Sequence, residues 1–194
     1  MTYDIKNVFY LDTQVTIPTS GTAYAMNSSQ LDLSAYMDPI VSKGRKGTGL
    51  AIYKVHYDVS TKSPGINPPG ETLDGEFRIG VIAGAGLGNL QNDTTITGNA
   101  NATTSDNPLC VFGADYYAPA AMAANASVTS GYNRTFIEPS KEVPYVCVRD
   151  NVCLTAVWGA IVTNATAYVA IRLECGIISL DQSTLNQLLR TQTV

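Results

Sequence analysis

The sequence of 194 residues contains a single histidine, His56. Histidine is the usual general base and a common metal ligand, so one imidazole excludes His clusters, the multi-histidine metal site of cupin enzymes and most proton relays. His56 itself lies among polar residues of an alternating segment, which predicts a surface or interface position. A single histidine still allows a Cys147–His56 nucleophilic pair, but no local motif supports it. We therefore expect no enzymatic activity, no cofactor, no metal and no small-molecule substrate.

Charged residues are also scarce, at 14% of the chain with a net charge of −4, where about a quarter is usual. The basic residues are scattered except for Lys43, Arg45 and Lys46. Nucleic-acid binding through phosphates needs a concentrated basic face or arm, so we expect no sequence-specific nucleic-acid partner. The Gly/Lys-rich loop around these three residues lacks the order of a Walker motif. It predicts an exposed loop or, alternatively, a contact with an anion or an acidic neighbouring subunit.

Long apolar runs are absent too. The longest, residues 157–162, suits a buried strand and is far shorter than a membrane span. The first residues lack the basic and apolar regions of a signal peptide, so we expect a protein that does not use Sec export.

A strand followed by glycines, at residues 77–88, resembles a dinucleotide-binding loop at first sight. The glycines fall at Gly84, Gly86 and Gly88, and Asn89 stands where the motif requires its third glycine. The residues that follow have no helical periodicity, so no helix N-terminus is available to bind a pyrophosphate. We predict a strand ending in a glycine turn and no nucleotide site.

The sequence is rich in alternating apolar and polar residues, the pattern of half-buried strands. Within residues 49–60, one side carries Tyr53, Val55, Tyr57 and Val59, and the other carries Lys54, His56 and Asp58. Eight to ten such segments predict an all-β, antiparallel two-sheet sandwich, best matched by an eight-stranded jelly roll with long loops. We expect one domain over residues 1–194, with its core in residues 12–180 and a short C-terminal helix or arm at 181–194.

Three of the four cysteines fall in the last third of the chain. Residues 143–149, 152–163 and 165–180 predict three successive antiparallel strands joined by tight turns. That meander places Cys147 opposite Cys153, and Cys153 beside Cys175, as a thiol cluster on one sheet. We expect reduced thiols, with a strained disulfide as the alternative.

The C-terminal segment carries Leu185, Leu188 and Leu189 at helical spacing. A helix of about two turns is marginal alone and needs a partner surface. The domain body or a neighbouring subunit could provide it, and we predict contacts between subunits.

Six Asn-X-Ser/Thr sequons are present. They predict either glycosylation or simply Asn- and Thr-rich loops. The asparagines are Asn27, Asn92, Asn101, Asn125, Asn133 and Asn164.

In size, strand-rich pattern and loop layout, residues 12–180 resemble the single-jelly-roll capsid proteins of icosahedral viruses. The resemblance implies a structural protein that assembles with copies of itself, and with other capsid proteins, into a virion in the host cytoplasm. Many small capsid proteins carry a basic N-terminal arm, but residues 1–14 contain one Lys and two Asp. This difference implies a shell that encloses a membrane vesicle or packs its genome by another agent.

Two other classes fit the same composition. An extracellular filament or surface-layer subunit at the cell surface would account better for the sequons. A carbohydrate-binding sandwich would use exposed tyrosines and Trp158, but Trp158 lies within an apolar run and is predicted to be in the core.

Overall fold

The computed structural model describes residues 5–17, 25–38, 46–60, 75–84, 109–118, 132–158 and 167–192. Nine strands in these ranges form two antiparallel sheets, and one α-helix follows the last strand. The predicted all-β two-sheet sandwich is therefore confirmed.

Sheet A has four strands and sheet B has five. Sheet A contains β1 (Ile5–Ile17), β3 (Gly47–Ser60), β7 (Tyr145–Cys147) and β9 (Ala167–Leu180), in the order β1-β9-β3-β7. Sheet B contains β2 (Ala25–Asp32), β4 (Gly75–Ala83), β5 (Cys110–Ala118), β6 (Tyr132–Ile137) and β8 (Asn151–Trp158), in the order β2-β8-β4-β5-β6. The helix is α1 (Gln182–Thr191).

The strand pairs are nested. β1 pairs with β9, β2 with β8, β3 with β7 and β4 with β5, all antiparallel, and successive pairs alternate between the two sheets. This is the pattern of one long antiparallel hairpin rolled up on itself, which is the jelly roll. β6 is a ninth strand that extends sheet B beyond β5.

The predicted meander of the last three strands is wrong. β7 lies in sheet A, β8 in sheet B and β9 again in sheet A, so none of the three pairs with the next. Asp150 and the first residue of β8 bond to residues that follow other strands. Asp150 O accepts from Leu33 N, just after β2, at 2.6 Å, and Asn151 O accepts from Gly84 N, just after β4, at 2.8 Å. Alternation shows which side of a strand is buried but not which strand lies beside it, so a crossing between sheets can read as a hairpin turn.

The main core lies between the sheets. Its aliphatic and aromatic side chains come from alternate positions of both sheets, and the largest are at most 1% exposed. They include Leu50, Ile52 and Leu173 from sheet A, and Ile79, Phe112 and Leu154 from sheet B. Tyr57 is partly buried and packs against this core, with its ring centroid 5.4 Å from that of Phe112.

A β-bulge in β3 changes which side Tyr53 occupies. Ile52 pairs with Cys175 and Lys54 with Glu174, so Tyr53 is an extra residue in the ladder. Its ring packs with Ala51 on the outer face of sheet A, whereas Val55 points into the main core. The prediction that Tyr53 shares the side of Val55 is wrong because simple alternation cannot register a bulge.

Helix α1 packs on the outer face of sheet A. Asp181 begins the helix, its carboxylate accepting a hydrogen bond from Thr184 N at 2.7 Å. Leu185, 1% exposed, enters a second apolar cluster, and Leu188 and Leu189 pack beside it. The sheet contributes Ala51, Tyr53, Val146, Val148, Ile178 and Leu180 to that cluster. Of the two surfaces considered for residues 181–194, the helix uses the body of its own domain.

The residue after α1 completes the edge of sheet A. Gln192 is 4% exposed, and its side-chain amide donates to Val146 O at 2.6 Å and accepts from Val148 N at 3.1 Å. These two bonds take the place of a neighbouring strand beside β7. The edge is therefore closed where another chain could otherwise pair.

Candidate functional site

The outer face of sheet A has two halves with different chemistry. One half is apolar and lies under α1. The other half is polar and open, and we call it the open face. It consists of Tyr10, Asp12 and Gln14 on β1, Ala170, Arg172 and Glu174 on β9, and Lys54, His56 and Asp58 on β3.

The pairing register arranges the open face in three rows across the strands. Tyr10 and Lys54 flank Glu174, and Asp12 and His56 flank Arg172. In the third row Gln14 and Asp58 flank Ala170. Because Ala170 has only a methyl group between two longer side chains, it forms the floor of a shallow depression of about 670 Å³.

His56 and Glu174 form an ion pair if the imidazole is protonated, and a hydrogen bond in either case. His56 Nε2 lies 2.9 Å from Glu174 Oε1, with the two side chains 45% and 20% exposed. The hydrogen bond from His56 lowers the pKa of Glu174, and its charge and those of Lys141 and Lys54 add to the effect. Glu174 is therefore ionised at neutral pH.

Arg172 lies over the ring of Tyr10, with the guanidinium carbon 5.9 Å from the ring centroid. Tyr10 is 59% exposed, and Val8 two residues earlier on the same strand is 65% exposed. Tyrosine and arginine are enriched at the centres of protein interfaces. The open face thus combines an exposed aromatic ring, an exposed aliphatic side chain and paired charges.

The open face offers contact chemistry rather than a nucleophile. His56 is exposed on the outer side of sheet A, whereas Cys147 is buried in the main core on its inner side. The Cys147–His56 pair is therefore not formed. Within the described residues, no three or more His, Cys, Asp and Glu side chains are grouped to hold a metal ion.

The predicted thiol cluster is divided between the sheets. Cys147 and Cys175 point into the main core from the two strands that flank β3. Cys153 belongs to β8 in sheet B, and its sulfur lies 4.0 Å from Thr155 Oγ1. All four cysteines are free and buried. Burial raises the pKa of Cys147 to about 11 and that of Cys175 to about 12.

The three C-terminal leucines face their own domain. Leu185 is buried against sheet A, and Leu188 and Leu189 are partly buried beside it. The apolar stripe predicted to contact another subunit is thus engaged within the chain.

Of the sequons, Asn27 and Asn133 lie within the described residues. Asn27 Nδ2 donates to Thr16 O at 2.6 Å, which ties β2 to β1. Asn133 is exposed on β6 and accepts a hydrogen bond from the Tyr57 hydroxyl, so its Nδ2 points away from that bond. The other four, Asn92, Asn101, Asn125 and Asn164, lie outside the described residues.

The basic loop residues Lys43 and Arg45 also lie outside the described residues, while Lys46 is exposed just before β3. Trp158 ends β8, where its backbone pairs with Ala25 and Phe77. The glycine turn begins as predicted at the end of β4, where Gly84 has a φ of +70°. Gly86, Gly88 and Asn89 follow outside the described residues.

Sequence reasoning missed Tyr10 and Asp12, and it missed the apolar half of sheet A. Tyr10 and Asp12 alternate with the inward Phe9 and Leu11, and this alternation indicates a strand with one polar side. The buried half has a different signal: residues 49–53 and 175–180 lose the alternation and become almost continuously apolar. A strand reads this way where both of its faces are covered.

No helix in the described part of the chain is long and apolar enough to cross a membrane. Compared with known proteins, the chain matches no protein-family model and no curated protein sequence.

Proposed function

We propose that this protein is a structural subunit that assembles with copies of itself, and that it forms the icosahedral shell of a virus. The observation that carries the proposal is the nested strand pairing of a jelly roll, with β1-β9-β3-β7 in one sheet and β2-β8-β4-β5 in the other. Viral capsid proteins, lectins and cupins are the main classes built on this topology.

The residues favour the capsid class among these three. Cupin enzymes use several histidines at one metal site, and this chain has one. A shell subunit instead needs outer surfaces that contact neighbours, and the open face carries Tyr10, Arg172 and an exposed Val8 beside it. Its partners would be copies of itself and other capsid proteins, with an inner membrane vesicle in place of direct genome contact.

Electron microscopy of the purified protein, combined with light scattering, tests this proposal. We expect closed particles of uniform diameter. Their masses should correspond to the numbers of subunits that icosahedral symmetry allows. Fibres or flat arrays would favour the alternative of an extracellular filament or surface-layer subunit. A protein that stays monomeric at every concentration and ionic strength tested would contradict assembly altogether.

A carbohydrate-binding module is the second candidate, favoured by one specific observation. The exposed ring of Tyr10 borders a shallow depression lined by Asp12, Gln14 and Arg172. An aromatic ring beside convergent polar side chains suits a sugar. Titration of the monomer with a glycan panel tests it: binding lost in Tyr10→Ala and kept in Val143→Ala, an exposed residue elsewhere, would support this role.

A further inference from the structure

We infer that the open face is the contact surface for a second copy of this chain. The two copies meet face to face about a two-fold axis that lies in the interface and passes over β9 between Arg172 and Glu174. This inference rests on the proposed function and identifies which surface of the subunit takes part in assembly.

Several other parts of the described surface are already covered. Helix α1 covers the apolar half of sheet A, and Gln192 closes the edge of β7. The middle of the outer side of sheet B is buried, with Ile82 at 2%, Cys153 at 0% and Thr155 at 2% exposed. By contrast, Tyr10 on the open face and Val8 beside it are more than half exposed.

The two charges on β9, the central strand of the open face, are complementary to themselves in one orientation. Arg172 and Glu174 are two residues apart on β9, so they lie on the same side about 6.7 Å apart. A two-fold axis lying in the interface, perpendicular to β9 and midway between them, places Arg172 opposite Glu174 of the second copy and the reverse. The same axis places the Tyr10 hydroxyl opposite the Asp12 carboxylate of the second copy.

The alternative orientation is unfavourable. An axis running along β9 would place Arg172 against Arg172 and Glu174 against Glu174, and like charges in contact oppose association. The charges of Arg172 and Glu174 therefore favour antiparallel β9 strands across the contact. Two sheets packed in this way lie about 10 Å apart, which leaves room for the side chains of both copies.

Both residues keep bonding capacity for a second copy. Glu174 Oε1 is bonded to His56, and a carboxylate has a second oxygen that can accept hydrogen bonds. Arg172 contacts Tyr10 by lying over its ring, and a guanidinium carries five N–H donors that can bond to a carboxylate.

The contact is small. Three strands about 4.8 Å apart and three alternate positions along each cover about 14 by 20 Å, which is well below the roughly 800 Å² per partner of a standard interface. It therefore acts as one of several contacts in an assembly, where the subunit's other contacts raise the effective concentration at this one.

Charge reversal at these two positions provides a sharp test. In Arg172→Glu both positions are negative, and in Glu174→Arg both are positive, so each variant repels itself. We expect each to lower the apparent association constant at least about tenfold by sedimentation velocity. An equal mixture of the two variants, and the double variant Arg172→Glu/Glu174→Arg, should both recover self-association because every Arg again faces a Glu.

Arg134→Glu is the matched control, since it makes the same charge change on the exposed strand β6. Circular dichroism and thermal unfolding confirm that each variant is folded, and Arg172→Gln serves as a milder variant if a reversal unfolds the chain. If both single variants assemble like the wild type, or their mixture does not recover, the open face contacts something other than a second copy. A wild-type protein that never self-associates would instead overturn the proposed function, and this inference with it.

Discussion

At the scale of single residues, the side chain of Gln192 makes the hydrogen bonds that a neighbouring strand would make with the edge of sheet A. Its buried side-chain amide bonds to a carbonyl and an N–H on the edge of sheet A, and a backbone group buried without a partner costs more than its bond contributes. Nothing in the local sequence marks this role, because a glutamine after a helix normally reads as a solvated C-terminal residue.

We predict that Gln192→Ala and Gln192→Leu each lower the free energy of unfolding by about 1–3 kcal/mol, since both leave Val146 O and Val148 N without their partner. The leucine variant keeps the volume of the side chain and so separates hydrogen bonding from packing. Urea unfolding measures the loss, and hydrogen exchange at Val148 should quicken in both. Gln187→Ala, at an exposed position of α1, is the control and should change stability by less than about 0.5 kcal/mol.

The cysteines provide a second prediction at this scale. All four are buried, and the pKa of Cys110 is raised to about 11 by burial, as are those of Cys147 and Cys175 to about 11 and about 12. Thiolate is the reactive form, so the folded protein should react with an aromatic disulfide reagent far more slowly than the unfolded chain, at pH 7 and still at pH 9. Four thiols should react at once in denaturant, and rapid reaction of the native protein would contradict the buried positions.

At the scale of elements, α1 depends on its partner surface. A ten-residue helix is marginal in water, and its apolar stripe is stabilised here by the outer side of β3, β7 and β9. The leucine spacing predicted the helix and its apolar side correctly. It could not identify the partner, because the same stripe would fit a neighbouring subunit.

Leu185→Ala should lower the free energy of unfolding by about 2–5 kcal/mol, because Leu185 is the residue of α1 that is fully buried in the second apolar cluster. Chemical denaturation measures the effect, with Gln187→Ala again as the control. We expect assembly to persist under conditions where the variant stays folded. A folded Leu185→Ala variant of unchanged stability that no longer assembles would restore the intersubunit role of the helix.

The N-terminal end of α1 should respond to acid. A hydrogen bond from the backbone of Thr184 lowers the pKa of Asp181 below its ordinary value of 3.8, and side-chain bonding and Lys46 add to this. A lowered pKa in the folded state means that the stabilisation is present above the unfolded pKa and is lost as the pH falls through the folded one. The protection factors of the amides in the first turn of α1 should therefore decrease at pH values below about 4. Asp181→Asn still caps the helix but does not titrate, so this response should disappear in that variant.

At the scale of the whole molecule, the class of fold was predictable and the pairing of the last strands was not. Alternation identified β3, β4 and β9 because a half-buried strand must place apolar residues at every second position. It mispaired β7, β8 and β9 because these three consecutive strands lie alternately in the two sheets, and the choice of partner depends on residues far away in sequence. The polar side of β3 with Lys54, His56 and Asp58 was predicted from the sequence. The extension of this polar surface to Tyr10 and Asp12 depends on the long-range pairing of β1 with β9.

The nested pairing also constrains when the protein can fold during synthesis. β9 is the last of the nine strands to be made, yet it lies between β1 and β3, which meet only through it. Sheet A therefore cannot form on a nascent chain until residues 167–180 have left the ribosome, and β1 and β3 must wait with unpaired edges for over a hundred residues of translation. A chain arrested before residue 167 should remain protease-sensitive and bind chaperones. A chain arrested only once residue 192 has left the ribosome should be protected.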